Sequence, residues 1–178
     1  MRLKGAAPPS WGGVVPEAFE FALKVEPAAY DPAKAKKLLT EAGYPNGFDA
    51  GDLTPAPKYF SMGEAVVNYL GAVGIKSRMQ TMERAAFLSA WKEKKLTGLC
   101  LCNAGALGNA ATRIETYWYS KGSYSFPGAG HPKVDELFDK QSKETNYEKR
   151  KALLHELQKV MVDEAWNVPG MAWVWPVG

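Results

Sequence analysis

The sequence predicts an open α/β fold, a mixed and largely parallel sheet flanked by helices. Three observations carry that prediction. Apolar residues recur at helical spacing in several segments, short strand-like segments alternate with them, and Leu99 to Leu101 is apolar and uncharged, as a central parallel strand covered on both faces should be.

Taken in order, residues 1–29 are dominated by Gly, Pro and Ala, with Trp11, Phe19 and Phe21 interspersed, and show neither helical nor strand period. They read as an irregular lead-in. Asp31-Pro32 opens a helix, because Asp accepts free backbone N–H groups and Pro costs nothing at the first helical position. Ala35, Leu38, Leu39 and Ala42 give it an apolar face, Gly43 stops it and Pro45-Asn46-Gly47 turns the chain. Phe48 to Leu53 reads as a strand. Ser61 and Glu64 have the spacing of a capping box for a helix running through Val73 to Gly74, and Ile75 to Gln80 reads as the next strand. A third helix, to about Lys95, carries Phe87, Ala90 and Trp91 inward. After the strand at Leu99 comes the Gly- and Ala-rich loop NAGALGNAAT, then a helical turn from Arg113 to Trp118. Pro132 starts a helix with Val134, Leu137, Phe138 and Gln141 on one side. Thr145 and Glu148 suggest a second capping box, followed by a stripe of Leu153, Leu157, Val160, Met161 and Ala165, and Val168 to Val174 resembles a last strand.

Composition excludes several classes of function. With 22 Lys and Arg against 19 Asp and Glu, the net charge is +3 and the basic residues are dispersed, so no nucleic-acid partner is expected. Lys34, Lys36 and Lys37, and Lys92, Lys94 and Lys95, read as solvated helix faces. No apolar run approaches a membrane span. Arg2 and Lys4 precede GAAPPSWGGVVPEAFEF, which is too polar and Pro-rich for a signal peptide, leaving a cytosolic, processed or arbitrary start. Cys100 and Cys102 are expected to be reduced and buried, and with only His131 and His155 besides, no metal or other cofactor is expected.

Catalytic signatures are equally thin. No Gly-x-Ser-x-Gly turn occurs, each His reads as structural, and Gly105 to Gly108 lacks both dinucleotide and P-loop spacing. In open α/β sheets ligands lie beyond the carboxyl ends of the strands, which points to the loop from residue 103 to residue 111. Tyr117, Trp118, Tyr119, Tyr124 and Phe126 follow closely, as ligand contacts or as core.

The run YDPAKAKKLLTEAGYPNGF at positions 30 to 48 resembles a signature of the family 5 extracellular solute-binding proteins, the peptide-binding components of ABC importers. HPKVDELFDKQSKETNYEKRKALLHELQKVMVDEAWNVPG, at 131 to 170, resembles that family's paired C-terminal helices. The resemblance implies one lobe of a type II periplasmic binding protein. Residues 30–178 would form the C-terminal ligand-binding lobe, with the N-terminal lobe missing and the chain a fragment. It also implies periplasmic capture of a peptide or other small organic solute, delivery to permease subunits, and no catalysis. The competing expectations are a small α/β enzyme and a protein-interaction domain.

Peptide-binding relatives place an acidic residue near the strand-loop junction to pair with the ligand's amino group. Here no Asp or Glu occurs from Asn103 through Ile114, so that clamp is expected to be absent. The expected ligand contacts are Asn103, Ala104, Gly105, Asn109, Arg113, Tyr117 and Trp118. Arg113 would offer a guanidinium fork to an anion or make a surface ion pair with Glu115 or another neighbour.

Overall fold

Asp31 opens the first helix as predicted, its carboxylate accepting from Lys34 N at 2.9 Å, and α1 spans Pro32–Glu41. In the computed structural model, which describes residues 12–102, 108–125 and 130–165, the elements then run β1 (Phe48–Pro55), a 3₁₀ turn (Pro57–Tyr59), α2 (Phe60–Ala72), β2 (Ile75–Met79), α3 (Arg84–Lys92), β3 (Leu99–Leu101), α4 (Ala110–Tyr117), α5 (Pro132–Lys143) and α6 (Tyr147–Asp163). The described residues form two units: one comprises 29–102 with 123–125, the other 12–28, 108–122 and 130–165.

The first unit is the α/β part. Its three strands are all parallel in the order β2-β1-β3, so β1 is the centre and β3 an edge among the described residues. This corrects the expectation for Leu99 to Leu101: Leu99 is exposed, and Cys100 and Leu101 are only half-buried. Cys100 and Cys102 are free thiols and half-buried rather than buried. A short apolar run has the same composition on a covered edge as in a sheet centre, which is why periodicity could not separate the two. The core gathers on Leu53, Thr54 and Ala56 of the β1 strand and its exit, with Phe87 and Trp91 from α3 and Leu96 beyond it. Ala90 is half-buried.

Close approach of the backbone explains one turn. Gly47 and Gly74 precede β1 and β2, both have positive φ (75° and 97°), and a Cβ on Gly47 would overlap the Gly74 carbonyl. The helix that follows β1 starts differently from the predicted capping box. Pro57 begins a 3₁₀ turn that leads directly into α2, so Ser61 lies inside the first turn and no side chain caps the helix.

The second unit is helical. α5 and α6 pack against each other, burying Val134, Leu137 and Phe138 of α5 with Leu154, Leu157 and Met161 of α6. The α5 face is as predicted, and His131 caps that helix by accepting from Lys133 N. The α6 stripe differs: Asn146, not Thr145, caps the helix by accepting from Lys149 N at 3.0 Å, and the buried positions are 154, 157, 158 and 161. Leu153 and Val160 are half-buried and Ala165 is exposed. Residues 12–28 carry no helix or strand beyond one bridge, yet they bury Val14, Val15 and Phe21. Buried Gln158 holds them. Its Oε1 accepts from Leu23 N at 2.9 Å, and its Nε2 donates to the carbonyls of Phe21 at 2.8 Å and Leu154 at 2.9 Å. Phe21 adopts a left-handed φ of 60°, and its ring lies against Tyr147 and the Arg150 guanidinium. The predicted strand from Val168 to Val174 lies outside the described residues.

Candidate functional site

Because all three strands are parallel, their carboxyl ends emerge on one edge of the sheet, at Pro55, Met79 and Leu101. Short hydrogen bonds fix that edge. Ala56 N donates to the Leu101 carbonyl at 2.8 Å, and Gln80 N to the Leu53 carbonyl at 2.9 Å. Buried Thr54 directs its hydroxyl toward Gln80 Oε1 at 3.4 Å. Tyr59 stands there as well, its phenol pushed up from its ordinary pKa first by burial and then by the neighbouring Cys102. Neither Tyr59 nor Gln80 figures among the predicted contacts. Their signal was topological, since each follows the end of a parallel strand.

The sheet edge leads into the loop that begins at residue 103. Asn103, Ala104, Gly105 and Phe126 lie outside the described residues. The loop's far end belongs to the helical unit, where the structure places the remaining predicted residues. Asn109 caps α4, its Oδ1 accepting from Ala111 N at 2.8 Å. Its Nδ2 donates to Glu20 Oε2 at 2.6 Å, and the backbones join in a parallel bridge, Glu20 N to the Gly108 carbonyl and Ala110 N to the Glu20 carbonyl. The amide of Asn109 is thus occupied on both sides. An exposed carboxylate, contributed 89 positions upstream, stands beside it.

Arg113, Tyr117 and Trp118 come together inside this unit, at 8%, 8% and 4% exposure. Arg113 Nε donates to the Val14 carbonyl at 3.2 Å, and its guanidinium lies 5.7 Å from the Trp118 ring centre. Burial pushes the guanidinium down from its ordinary value, offset in part by Tyr117. The Arg113 side chain is therefore buried rather than at the surface. The other aromatics divide between the units. Tyr119 packs on Phe138 and donates to Asp139, whereas Tyr124 packs edge-on to Trp91 and accepts from its Nε1 at 3.0 Å. Tyr117 and Trp118 are buried in the helical unit, whereas Tyr119 and Tyr124 are half-buried.

An open depression of about 350 Å³ lies between α1 and α2, lined by Leu39, Pro45, Asn46 and Gly74 among others. It sits at the amino ends of β1 and β2, the opposite end from that where open α/β sheets hold ligands. No group of three or more His, Cys, Asp or Glu side chains that could hold a metal occurs among the described residues.

Residues 2–124 match the family described as bacterial extracellular solute-binding proteins, family 5 Middle. The chain belongs to that family. The matched stretch includes most of the irregular first segment as well as the sheet and α4. Among curated relatives, the chain is similar to heme-binding protein A of Haemophilus influenzae, 27% identical over 93% of this chain and 32% of that protein. It is likewise similar to the glutathione-binding protein GsiB of Pectobacterium atrosepticum, 31% identical over 86% of this chain and 32% of the relative. Its fold is that of the periplasmic binding protein DppA from Helicobacter pylori, solved with the peptide STSA. That superposition has a TM-score of 0.79 at 21% identity, covering 91% of this chain and 33% of DppA. The chain spans about a third of the length of the relatives it matches. These matches are to binding proteins rather than enzymes.

Proposed function

We propose that this chain is the C-terminal lobe of a solute-binding protein that captures a peptide or other small organic solute in the periplasm. The captured solute is passed to the permease of an ABC importer, and no bond is made or broken. The single observation that supports this most strongly is the family match over residues 2–124 on a parallel sheet whose third strand, β3, precedes the candidate loop. In this reading the ligand is held between this lobe and a second lobe. Asn103, Ala104 and Gly105 supply contacts from the loop, while Asn109, Arg113, Tyr117 and Trp118 hold its far end in position.

Glu20 sharpens the ligand class. The loop has no carboxylate of its own, and an ammonium removed from water without one would carry a large desolvation cost. In this reading Glu20, fastened to Asn109 by backbone and side chain, is the carboxylate offered to the ammonium. The proposed ligand class therefore includes solutes with a free amino group. Relatives named for glutathione and crystallised with a peptide are consistent with that class.

Calorimetry on the full-length protein tests both statements. Dipeptides, glutathione, opines, oligosaccharides and metal chelates form the panel, each amine-bearing ligand paired with its N-acetylated form. Saturable one-to-one binding of at least one compound is expected. Glu20→Gln should remove the preference for the free amine and lower affinity about 5- to 100-fold, the equivalent of about 1–3 kcal/mol for a charged hydrogen bond. Binding that is indifferent to Glu20→Gln contradicts the role of that carboxylate alone. Turnover of any panel member contradicts the binding function.

A further inference from the structure

On the loop side, Glu20 is held by a single bridge. Glu20 N donates to the Gly108 carbonyl at 3.3 Å, Ala110 N to the Glu20 carbonyl at 3.0 Å, and Asn109 Nδ2 to Glu20 Oε2 at 2.6 Å. Glu20 and Gly108 are exposed, so water competes for these bonds. On the other side the chain turns. Ala22 N donates to the Phe19 carbonyl at 3.1 Å, which makes Glu20 and Phe21 the two central residues of a turn. Phe21 takes the second of these places with a φ of 60°, the position and hand that such turns give to glycine. A bulky side chain keeps a left-handed backbone only where its surroundings over-determine it.

Helix α6 does so here. Gln158 Nε2 donates to the Phe21 carbonyl at 2.8 Å, and Gln158 Oε1 accepts from Leu23 N at 2.9 Å. The buried Phe21 ring lies 5.0 Å from the centre of the Tyr147 ring and 5.5 Å from the Arg150 guanidinium carbon. Arg150 Nε in turn donates to the Oε1 of buried Gln141 on α5 at 3.0 Å. Glycine at position 21 would have no anchor and would take either sign of φ with equal ease. Phenylalanine, once seated, fixes one hand of the turn and with it the direction in which Glu20 leaves the turn toward Asn109. We infer, on the reading of Glu20 given above, that Phe21 is a positioning residue: seated on Tyr147 and Arg150, it aims the Glu20 carboxylate and so sets the selectivity for a free amino group. The determinant of selectivity then lies in a ring contact with α6, outside the loop.

Calorimetry on the full-length protein tests this with two ligand pairs, glutathione against N-acetylglutathione and alanylalanine against N-acetylalanylalanine. The quantity read is the ratio of affinities within each pair, in the unaltered protein, Phe21→Gly, Glu20→Gln and the double variant. Phe21→Gly should lower the preference for the free amine at least fivefold, and should have no further effect once Glu20→Gln is in place. A purely structural role would weaken both members of a pair alike and leave the ratio unmoved. Should Phe21→Gly not fold, Tyr147→Ala combined with Arg150→Met strips the partners from the ring and carries the test, with a fall of at least twofold expected. Where Glu20→Gln removes the preference but the substitutions at the ring leave it intact, the positioning role of Phe21 is overturned and the reading of Glu20 stands. Indifference to Glu20→Gln, or binding of neither free amine, overturns both.

Discussion

At the scale of single residues, the polar side chains that matter are those with several partners. Gln158 interrupts an otherwise apolar helix face, and a pattern that seeks apolar residues passes over it. In the structure it satisfies one backbone N–H and two carbonyls, two of these three groups in a segment about 135 positions away. Gln158→Leu keeps the volume but leaves Leu23 N–H and the Phe21 carbonyl without that partner. The expected cost is about 1–3 kcal/mol, read as a lower denaturant midpoint, with faster hydrogen exchange confined first to residues 12–28. Exchange unchanged there would show that the apolar contacts of Val14, Val15 and Phe21 alone hold the segment. Glu20 makes the same point for chemistry. An acidic residue in a Gly- and Pro-rich stretch has no local signal of function, and only the bridge to Asn109 gives it one.

At the scale of elements, most of the fold was readable and the errors are local. Asp31-Pro32, the strand pair at Phe48 and Ile75, and the α5 face of Val134, Leu137, Phe138 and Gln141 all form as the residues predict. The two capping boxes do not, for different reasons. At α2 the 3₁₀ turn at Pro57 supplies the start before Ser61 is reached. At α6 Thr145 and Asn146 are both good caps, and spacing to Glu148 favoured the wrong one. The apolar stripe keeps Leu157 and Met161 but buries Leu154 in place of Leu153. Asn146→Ala should lower the thermal midpoint through a loss of about 1 kcal/mol, and Thr145→Ala should leave it unchanged. Equal losses in the two variants would return the cap to Thr145.

At the scale of the whole molecule, alternation of helices and strands was enough to identify the α/β class, but not the order of strands. Local periodicity says that Leu99 to Leu101 is a strand; long-range pairing to Leu53, Thr54 and Pro55 makes it a neighbour of β1 and an edge among the described residues. The candidate site was readable to the same degree. Its placement after a parallel strand follows from fold class, whereas the burial of Arg113 against Val14 depends on a contact across 99 positions. Family membership supplies what neither level can: relatives of this architecture are named for the solutes they bind. The most direct test of the account is a calorimetric titration of the full-length protein and its Asn103→Ala variant with whichever panel compound binds. The account predicts saturable binding that Asn103→Ala weakens about 5- to 100-fold at an unchanged melting temperature. Unchanged affinity in the variant, or no saturable binding of any compound by the intact protein, would contradict it.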